Sequence, residues 1–404
     1  MKRILLILPY GGVGGMERLA YSFYNFYKEK GYYIKAVKFI KLESDIINFD
    51  EDELFLSHLD YQDMSKSNRL LFNLKAPLKI RALIKKHKIT HSIAFGDPPN
   101  LYSSLTFTNE YKIGSIHALK SVELSNNSKL SKLTRFGFKH TYKKLDKLVC
   151  ISKAIKEDLV KKCDYKFEDN LKVIYNPHDL VEINKRALEP LDAKESTELF
   201  KTKTLLFLGR LSTQKSPWHL IKSFSLLLKK SPDTQLLIIG DGDKTVTDHI
   251  MTLISKFEIE KNVIFLGRKS NPYKYLVKAD ALVLSSHYEG TPNVIVEAIC
   301  LGTPIVTSNC TEGILELMSL KVHPETNKNL VVESGIITPN LFKGRLGIPT
   351  DNSFIDEESL FANALFDVLN SNQYFNTLKK HKSDLLDKFN LERVAHEYLN
   401  QKTN

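Results

Sequence analysis

Short apolar runs alternate with helix-period segments along almost the whole chain, and the series runs twice. Ile4–Leu8, Ile34–Phe39, His91–Phe95, Lys112–Ile116, Leu148–Ile151 and Leu171–Tyr175 read as strands. Met16–Lys30, Pro77–His87 and Lys153–Cys163 read as helices between them, and Asn176-Pro177 is a turn signal that closes the first series. The pattern restarts with strands at Leu205–Leu208, Gln235–Ile239, Val263–Leu266, Ala281–Leu284 and Pro304–Thr307. Helical patterns at Trp218–Lys230, Thr245–Phe257, Asn271–Lys278 and Val294–Cys300 separate them. Strands joined through helices form parallel sheets covered on both faces, so the expected class is α/β with two doubly wound domains. Expected boundaries are 1–180 for the first domain, 181–203 for a polar linker and 204–375 for the second. Helices over 376–404 are expected to pack back on the first domain. Ligands of such sheets bind beyond the carboxyl ends of the strands, which in a two-domain chain puts the site in the cleft.

Composition narrows the rest. With 404 residues, 42% hydrophobic and 26% charged, the chain is ordinary globular material, not disordered, collagenous or coiled-coil. Its length supports more than one core. The longest apolar runs fall far short of the ~18 residues of a spanning helix. Met1-Lys2-Arg3 followed by Ile4–Leu8 reads as the first strand of a cytoplasmic protein, not a signal peptide. Cys150, Cys163, Cys300 and Cys310 form no CxxC pair, so free, buried thiols are expected, with no metal or disulfide framework. His87 and His91 lack the Glu of HExxH and sit among lysines, as at a solvated helix end.

The charge is lopsided. Residues 1–180 hold 31 Lys and Arg against 20 Asp and Glu, while the remainder holds 27 of each, so the whole net +11 lies in the first half. Such asymmetry implies an anionic partner for that half. The densest stretch, Ser128–Lys147, interleaves seven cations with Leu130, Leu133, Phe136, Phe138, Tyr142 and Leu145. Two readings fit: a helix lying on an anionic bilayer, or a surface helix whose apolar side packs inward. No nucleic-acid signature accompanies the charge, so no nucleic-acid partner is expected.

Three segments carry candidate chemistry. Gly11-Gly12-Val13-Gly14-Gly15 lies between strand and helix, where glycines let a phosphate or sugar approach backbone N–H groups. A plain tight turn fits equally, and Glu17 breaks the dinucleotide pattern GxGxxG. Arg210 and Lys215 follow strand Leu205–Leu208 and together suit a diphosphate, Arg by bidentate contact and Lys as a point charge. The segment Ser285–Ala298 follows strand Ala281–Leu284, with Pro292 fitted to a helix start, Glu289 in the loop and Glu297 inside the helix. That helix N-terminus can hold a phosphate, and the carboxylates can accept from sugar hydroxyls.

Glu289 and Glu297, in Glu289-Gly290-Thr291-Pro292-Asn293-Val294-Ile295-Val296-Glu297-Ala298, form an E-x7-E motif that resembles retaining glycosyltransferase family 4. Gly209-Arg210 with Lys215, Val173–Pro177, Val149–Ser152, Gly302–Val306 and the N-terminal glycine cluster resemble that family's landmarks, in the same order over most of residues 1–310. The resemblance implies the GT-B architecture, two Rossmann-like domains, and metal-independent transfer of a sugar from a nucleotide donor with retention. It assigns Arg210 and Lys215 to the donor diphosphate, Glu297 to the ribose hydroxyls and Glu289 to the donor sugar. Gly290, Thr291, Pro292, Asn293 and Val294 would line the donor site, and Gly14 and Gly15 would lie near diphosphate and acceptor. His117 resembles the family histidine near the donor sugar, and a buried core histidine is the alternative.

UDP-sugar is the default donor, GDP-sugar the second, and hexosyl or N-acetylhexosaminyl transfer is expected with no permanently bound cofactor. With the basic first half, this favours a lipid-diphosphate-linked acceptor, such as an undecaprenyl-diphosphate glycan, at the inner membrane face in O-antigen, lipopolysaccharide or capsule assembly. A transferase acting on a free sugar or small metabolite and a non-catalytic nucleotide-sugar binder are the alternatives. After Glu312 the sequence departs from the family pattern, with a long polar stretch over Leu317–Val332 and an extended one over Phe342–Asn352. Acceptor contact and tolerated insertion both fit that segment.

Overall fold

The computed structural model describes residues 2–10, 15–42, 45, 47–61, 63–126, 129–324, 326–344 and 347–400. The first series runs β1 (Arg3–Leu8), α1 (Gly15–Glu29), β2 (Tyr33–Ile40), β3 (Glu53–Ser57), α2 (Lys66–Lys86), β4 (His91–Phe95), α3 (Pro99–Ser104), β5 (Tyr111–Ile116), α4 (Lys120–Glu123), α5 (Lys129–Phe136), β6 (Lys147–Cys150), α6 (Lys153–Lys162) and β7 (Leu171–Val173). The second runs α7 (Leu180–Ala187), α8 (Ala193–Glu198), β8 (Thr204–Leu208), α9 (Pro217–Leu228), β9 (Gln235–Ile239), α10 (Lys244–Lys256), β10 (Val263–Gly267), α11 (Tyr273–Leu276), β11 (Ala281–Leu284), α12 (Asn293–Leu301), β12 (Ile305–Ser308), α13 (Glu312–Met318), β13 (Leu330–Val332), β14 (Gly335–Thr338), α14 (Asp356–Asn370) and α15 (Gln373–Leu386). The last helix is α16 (Leu391–Leu399).

Two compact units result, Met1–His178 with Lys388–Asn404, and Asp179–Asp387. The first holds a parallel sheet ordered β3-β2-β1-β4-β5-β6-β7. The second is ordered β10-β9-β8-β11-β12-β14-β13, parallel except for the edge strand β13, which pairs antiparallel with β14. Helices cover both faces, so the central strands are buried and mostly apolar. Ile4 to Leu8 are all wholly buried. Each such side chain stabilises the fold by about 1.5–3 kcal/mol relative to exposure, which outweighs any single surface contact. In each sheet the strand order reverses beside the first strand of its series, at β1/β4 and at β8/β11, the switch points where crevices open.

Several elements depart from the sequence reading. The helix expected over Pro77–His87 begins at Lys66, where the Ser65 hydroxyl caps it by accepting from the Asn68 N–H at 3.2 Å. Pro77 lies inside that helix and is buried, and leucines facing away from the core had obscured the helical stripe. The segment 181–203, expected as a linker, holds α7 and α8, and α7 packs on α11 and α12 within the second unit. Of the helices expected over 376–404, α15 belongs to the second unit and α16 to the first. The basic stretch 128–147 is not one helix. After α5 come a wide turn over Gly137–Thr141 and a tight one over Tyr142–Lys144. Phe138, Tyr142 and Leu145 are buried, Leu133 and Phe136 are exposed, and Ser128 and the side chains of Lys129 and Leu130 lie outside the described residues. The polar insertion after Glu312 supplies β13, an extra edge strand.

The chain closes the first unit late. Val394, Ala395, Tyr398 and Leu399 of α16 join the apolar cluster around β1 and α1. The Tyr27 hydroxyl donates to the Ala395 carbonyl at 2.8 Å, and the Phe23 and Tyr398 rings meet edge to face at 4.7 Å. Lys147 Nζ donates to the carbonyls of Glu397, Tyr398 and Asn400 at 2.7, 3.1 and 2.8 Å. These are the carbonyls a helix end leaves unpaired, and a cation there meets the negative end of the helix dipole. Burial lowers the Lys147 ammonium to about 8, so the contact is made by a desolvated charge.

Lys147→Met should lower stability by about 1–3 kcal/mol, the scale of a hydrogen-bonded charge, read as a shifted urea midpoint. An unchanged midpoint would refute the capping role. Burial also pushes imidazoles down, His91, His178 and His287 to about 4 and His117 to about 3. A neutral histidine that ionises only on unfolding destabilises the fold as pH drops below its unfolded value of 6.5. Thermal midpoints should therefore fall steadily from about pH 6.5 toward pH 4. A flat profile over that window would contradict the burial of these rings.

Candidate active site

Strands β8 and β11 are parallel neighbours, with Leu205 beside Ala281 and Leu206 beside Leu282. The loops leaving their carboxyl ends are therefore adjacent, and they carry Arg210, Lys215 and Glu289. Backbone contacts lock the two loops. The His287 N–H donates to the Gln214 carbonyl at 2.9 Å. The Ser285 hydroxyl reaches the carbonyls of Lys215 and Ser216, both at 3.1 Å, and the Ser216 hydroxyl donates to the Ser285 carbonyl at 2.5 Å. Ser216 sits in the left-handed region at φ 37°, which costs a residue with a Cβ roughly 1–2 kcal/mol. Such strain persists only where the surroundings over-determine it, and here it turns the chain into α9 directly after Lys215.

Within that frame the Lys215 ammonium meets Glu289 Oε1 at 2.5 Å. The same oxygen accepts from the Ser286 hydroxyl at 2.6 Å, and Glu289 is buried. Gln214 Nε2 donates to the Tyr288 carbonyl at 3.2 Å and holds the loop from the other side. A buried ion pair gains little over packed apolar groups, because desolvation offsets the attraction. The pair fixes where the ammonium points and leaves part of its three-donor capacity for an anion. Arg210 lies exposed one residue beyond Gly209, at the same edge of the sheet.

Two glycines make this edge possible. A Cβ on Gly240 would stand 2.0 Å from the Gly209 carbonyl, and one on Gly242 would stand 2.2 Å from the Leu211 carbonyl. Only bare backbone lets the loop after β9 close on Gly209–Leu211. Gly313, at the start of α13, likewise brings its backbone against Gly290, where a Cβ would meet the Gly290 carbonyl at 2.5 Å.

Helix α12 begins at Asn293 behind Pro292, whose side chain offers no cap to the first turn. Its leading N–H groups are thus open to an anion, with Thr291, Asn293 and Val294 around them. Glu297 is half-buried farther along, and Tyr273 Oη donates to its Oε1 at 3.3 Å. The Arg186 guanidinium of α7 lies 5.3 Å over the Tyr273 ring, so the segment read as a linker supports this carboxylate.

His117 and Gly15 belong to the first unit. Gly15 opens α1 with free space where a side chain would stand, and Gly14 with the rest of the glycine cluster lies outside the described residues. His117 follows β5. Its Nε2 is 2.8 Å from the Ser115 hydroxyl, which donates to the Ala94 carbonyl at 3.0 Å. A hydroxyl already donating to Ala94 accepts from the imidazole, so this network assigns the ring proton to Nε2. Nδ1 is then a buried acceptor with no hydrogen-bond partner among the described residues. Burial, with the Lys120 charge nearby, holds the ring far below ordinary histidine, so it is neutral near pH 7. The structure thus brings Lys215 and Glu289 into contact and places Arg210, Gly290 and Asn293 at the same sheet edge. Ser285 and Ser286 lie in the segment singled out in the sequence but without a role, whereas Gln214, Ser216, Gly240, Gly242 and Gly313 escape the sequence reading, and of these only the paired glycines of Gly240-Asp241-Gly242 give a sequence signal.

No group of three His, Cys, Asp or Glu side chains among the described residues is arranged to hold a metal ion. Cys150, Cys163, Cys300 and Cys310 are free thiols.

Residues 13–182 match the family model for Glycosyltransferase Family 4, and residues 191–334 match the model for Glycosyl transferases group 1. An uncharacterised glycosyltransferase of Methanocaldococcus jannaschii is 26% identical over 377 residues, covering 83% of this chain and 88% of that protein. The Campylobacter jejuni N-acetylgalactosamine-N,N'-diacetylbacillosaminyl-diphospho-undecaprenol 4-alpha-N-acetylgalactosaminyltransferase is 28% identical over 333 residues, covering 78% and 83%. Anabaena HepE, solved in complex with UDP, superposes with a TM-score of 0.73 at 15% identity over 98% of both chains. The chain therefore belongs to the GT-B glycosyltransferases, with a family 4 module followed by a group 1 module.

Proposed function

We propose that this protein is a metal-independent, retaining glycosyltransferase. In this reading it moves a hexose or N-acetylhexosamine from a UDP-sugar to a lipid-diphosphate-linked glycan in the assembly of a bacterial surface polysaccharide. The observation that carries the reading is the Lys215–Glu289 pair, held by two locked loops at the sheet edge that also bears Arg210 and the start of α12. When the glycosidic bond to the donor breaks, the leaving diphosphate gains negative charge. Arg210, Lys215 and the N–H groups at Asn293 and Val294 stabilise that charge most in the transition state, the work a divalent cation would otherwise do.

The carboxylates divide the remaining roles. Glu297 accepts from the ribose hydroxyls, with Tyr273 fixing its orientation. Glu289 orients Lys215 and contacts the donor sugar. His117, neutral and with Nδ1 bare, accepts from a sugar hydroxyl. The acceptor hydroxyl attacks the anomeric carbon from the face the diphosphate leaves. Its proton passes to an oxygen of the departing β-phosphate, so configuration is retained without an enzyme nucleophile. Support for UDP comes from the HepE complex, and support for the acceptor class from the undecaprenol-linked relative and the basic first half.

A hydrolysis and transfer screen across nucleotide sugars tests the reading, with lipid-linked and free glycan acceptors in parallel. Turnover of a UDP-sugar that rises with the lipid-linked acceptor is the expected result, and turnover on free sugars alone would replace that acceptor. Arg210→Ala and Lys215→Ala should each cut kcat about 10²–10³-fold, the loss of one charge-stabilising donor group. Near-normal kcat in both variants would overturn the diphosphate assignment. Glu297→Gln should weaken UDP binding about tenfold or more in calorimetric titration, with kcat changed less. Equal affinity for UDP before and after would remove Glu297 from the ribose.

A further inference from the structure

Helix α2 faces two environments. Ala76, Pro77, Ile80 and Ile84 are buried. On the outside, Leu70, Leu71, Leu74 and Leu78 are 63%, 46%, 65% and 62% exposed. Leu70, Leu74 and Leu78 stand four residues apart and form one ridge along the helix. Soluble surfaces scatter large apolar side chains singly and do not align them. The helix carries seven Lys and Arg residues and no Asp or Glu.

The ridge continues past exposed Ala82 to Lys85, at the rim of an open cavity of about 590 Å³. Arg81, Lys85, Lys88, Thr90, Phe107 and Thr108 line it. Its one carboxylate, Glu110, is already held by Lys112 at 3.3 Å and by the Ser92 hydroxyl at 3.2 Å. Lys88 and Phe107 both take left-handed backbone, at φ 47° and 52°, and the Phe107 ring is 68% exposed. The site thus joins an apolar ridge to a cationic hollow with an exposed aromatic rim.

We propose that α2 is the element by which this protein lies on a bilayer bearing anionic headgroups. The leucine ridge enters the acyl boundary, and a lipid phosphate sits among Arg81, Lys85 and Lys88. The proposal rests on the lipid-linked acceptor of the functional reading and names the surface that meets the lipid. Charge selects this occupant: a second copy would set one acid-free, sevenfold cationic helix against another. The stretch 128–147 is the poorer anchor, since only Leu133 and Phe136 of its described large apolar side chains are exposed. Because α2 starts after the carboxyl end of β3 and ends before β4, its Lys66 end lies toward the sheet edge that bears His117.

The test is co-sedimentation of the full chain with vesicles of phosphatidylglycerol and phosphatidylcholine, and with phosphatidylcholine alone. The wild type should partition to the mixed vesicles. L74E/L78E should reduce that partition by about tenfold or more at an unchanged thermal midpoint. K85E/K88E should remove the preference for phosphatidylglycerol, while L133S/F136S should leave binding close to wild type. If L74E/L78E alters the midpoint, the milder L70S supplies the same comparison. A wild type that stays in the supernatant, a L74E/L78E variant that sediments as before, or a dimer that this variant dissociates would each overturn the proposal. Hydrolysis of a UDP-sugar without lipid is assayed on the same samples. Vesicle binding with no such activity would sink the functional reading alone, and activity without vesicle binding would sink the docking surface alone.

Discussion

Strands β8 and β11 are some seventy residues apart in the chain and side by side in the sheet. Arg210, Lys215 and Glu289 at the proposed donor site depend on that adjacency. Arg210 and Lys215 leave one strand, Glu289 leaves the other, and three serine and backbone contacts sew the loops together. The sheet core beneath is wholly buried, so these loops rest on the least deformable part of the unit. Electrostatic stabilisation works only if the charges need not move when the reaction needs them. The strained backbone of Ser216 and the bare backbone of Gly240 and Gly242 are the local costs of that rigidity.

Much of this was legible in the sequence, for a physical reason. Parallel strands buried on both faces are short apolar runs, and Gly and Pro mark where they end. The E-x7-E segment was readable because loop, Pro and helix follow one another in the chain. What escaped notice depends on distance. Ser285 and Ser216 look like any serines until neighbouring strands bring them together. Exposed leucines beside the buried row of Ala76, Pro77, Ile80 and Ile84 blur the helical stripe of α2, so Pro77 reads as a beginning although it lies in the middle. The basic stretch admits both an exposed and an inward-packed apolar side in sequence, and Phe138 and Tyr142 turn inward where the backbone widens to a π turn.

The histidines show how burial sets chemistry. His117 and His287 carry no unusual flanking residues, yet both are driven toward neutrality by loss of water. A neutral ring with one nitrogen committed to a serine offers its other nitrogen as an acceptor only. That suits the recognition of a hydroxyl and does not suit the neutralisation of a phosphate, the role proposed for Arg210 and Lys215. The division of labour follows from where each group sits, on a buried strand end or on an open loop.

The chain crosses from the first unit to the second near His178 and returns near Lys388. The returning α16 supplies Tyr398 and Leu399 to a core built around β1. On a ribosome, β1 and its neighbours must therefore wait for α16 with an unfilled apolar seat. The seat is filled only after the second unit has been synthesised and the stretch through Asn400 has emerged. Nascent chains of this protein should thus expose a sticky surface for most of their synthesis, and that interval is where a holding chaperone would act.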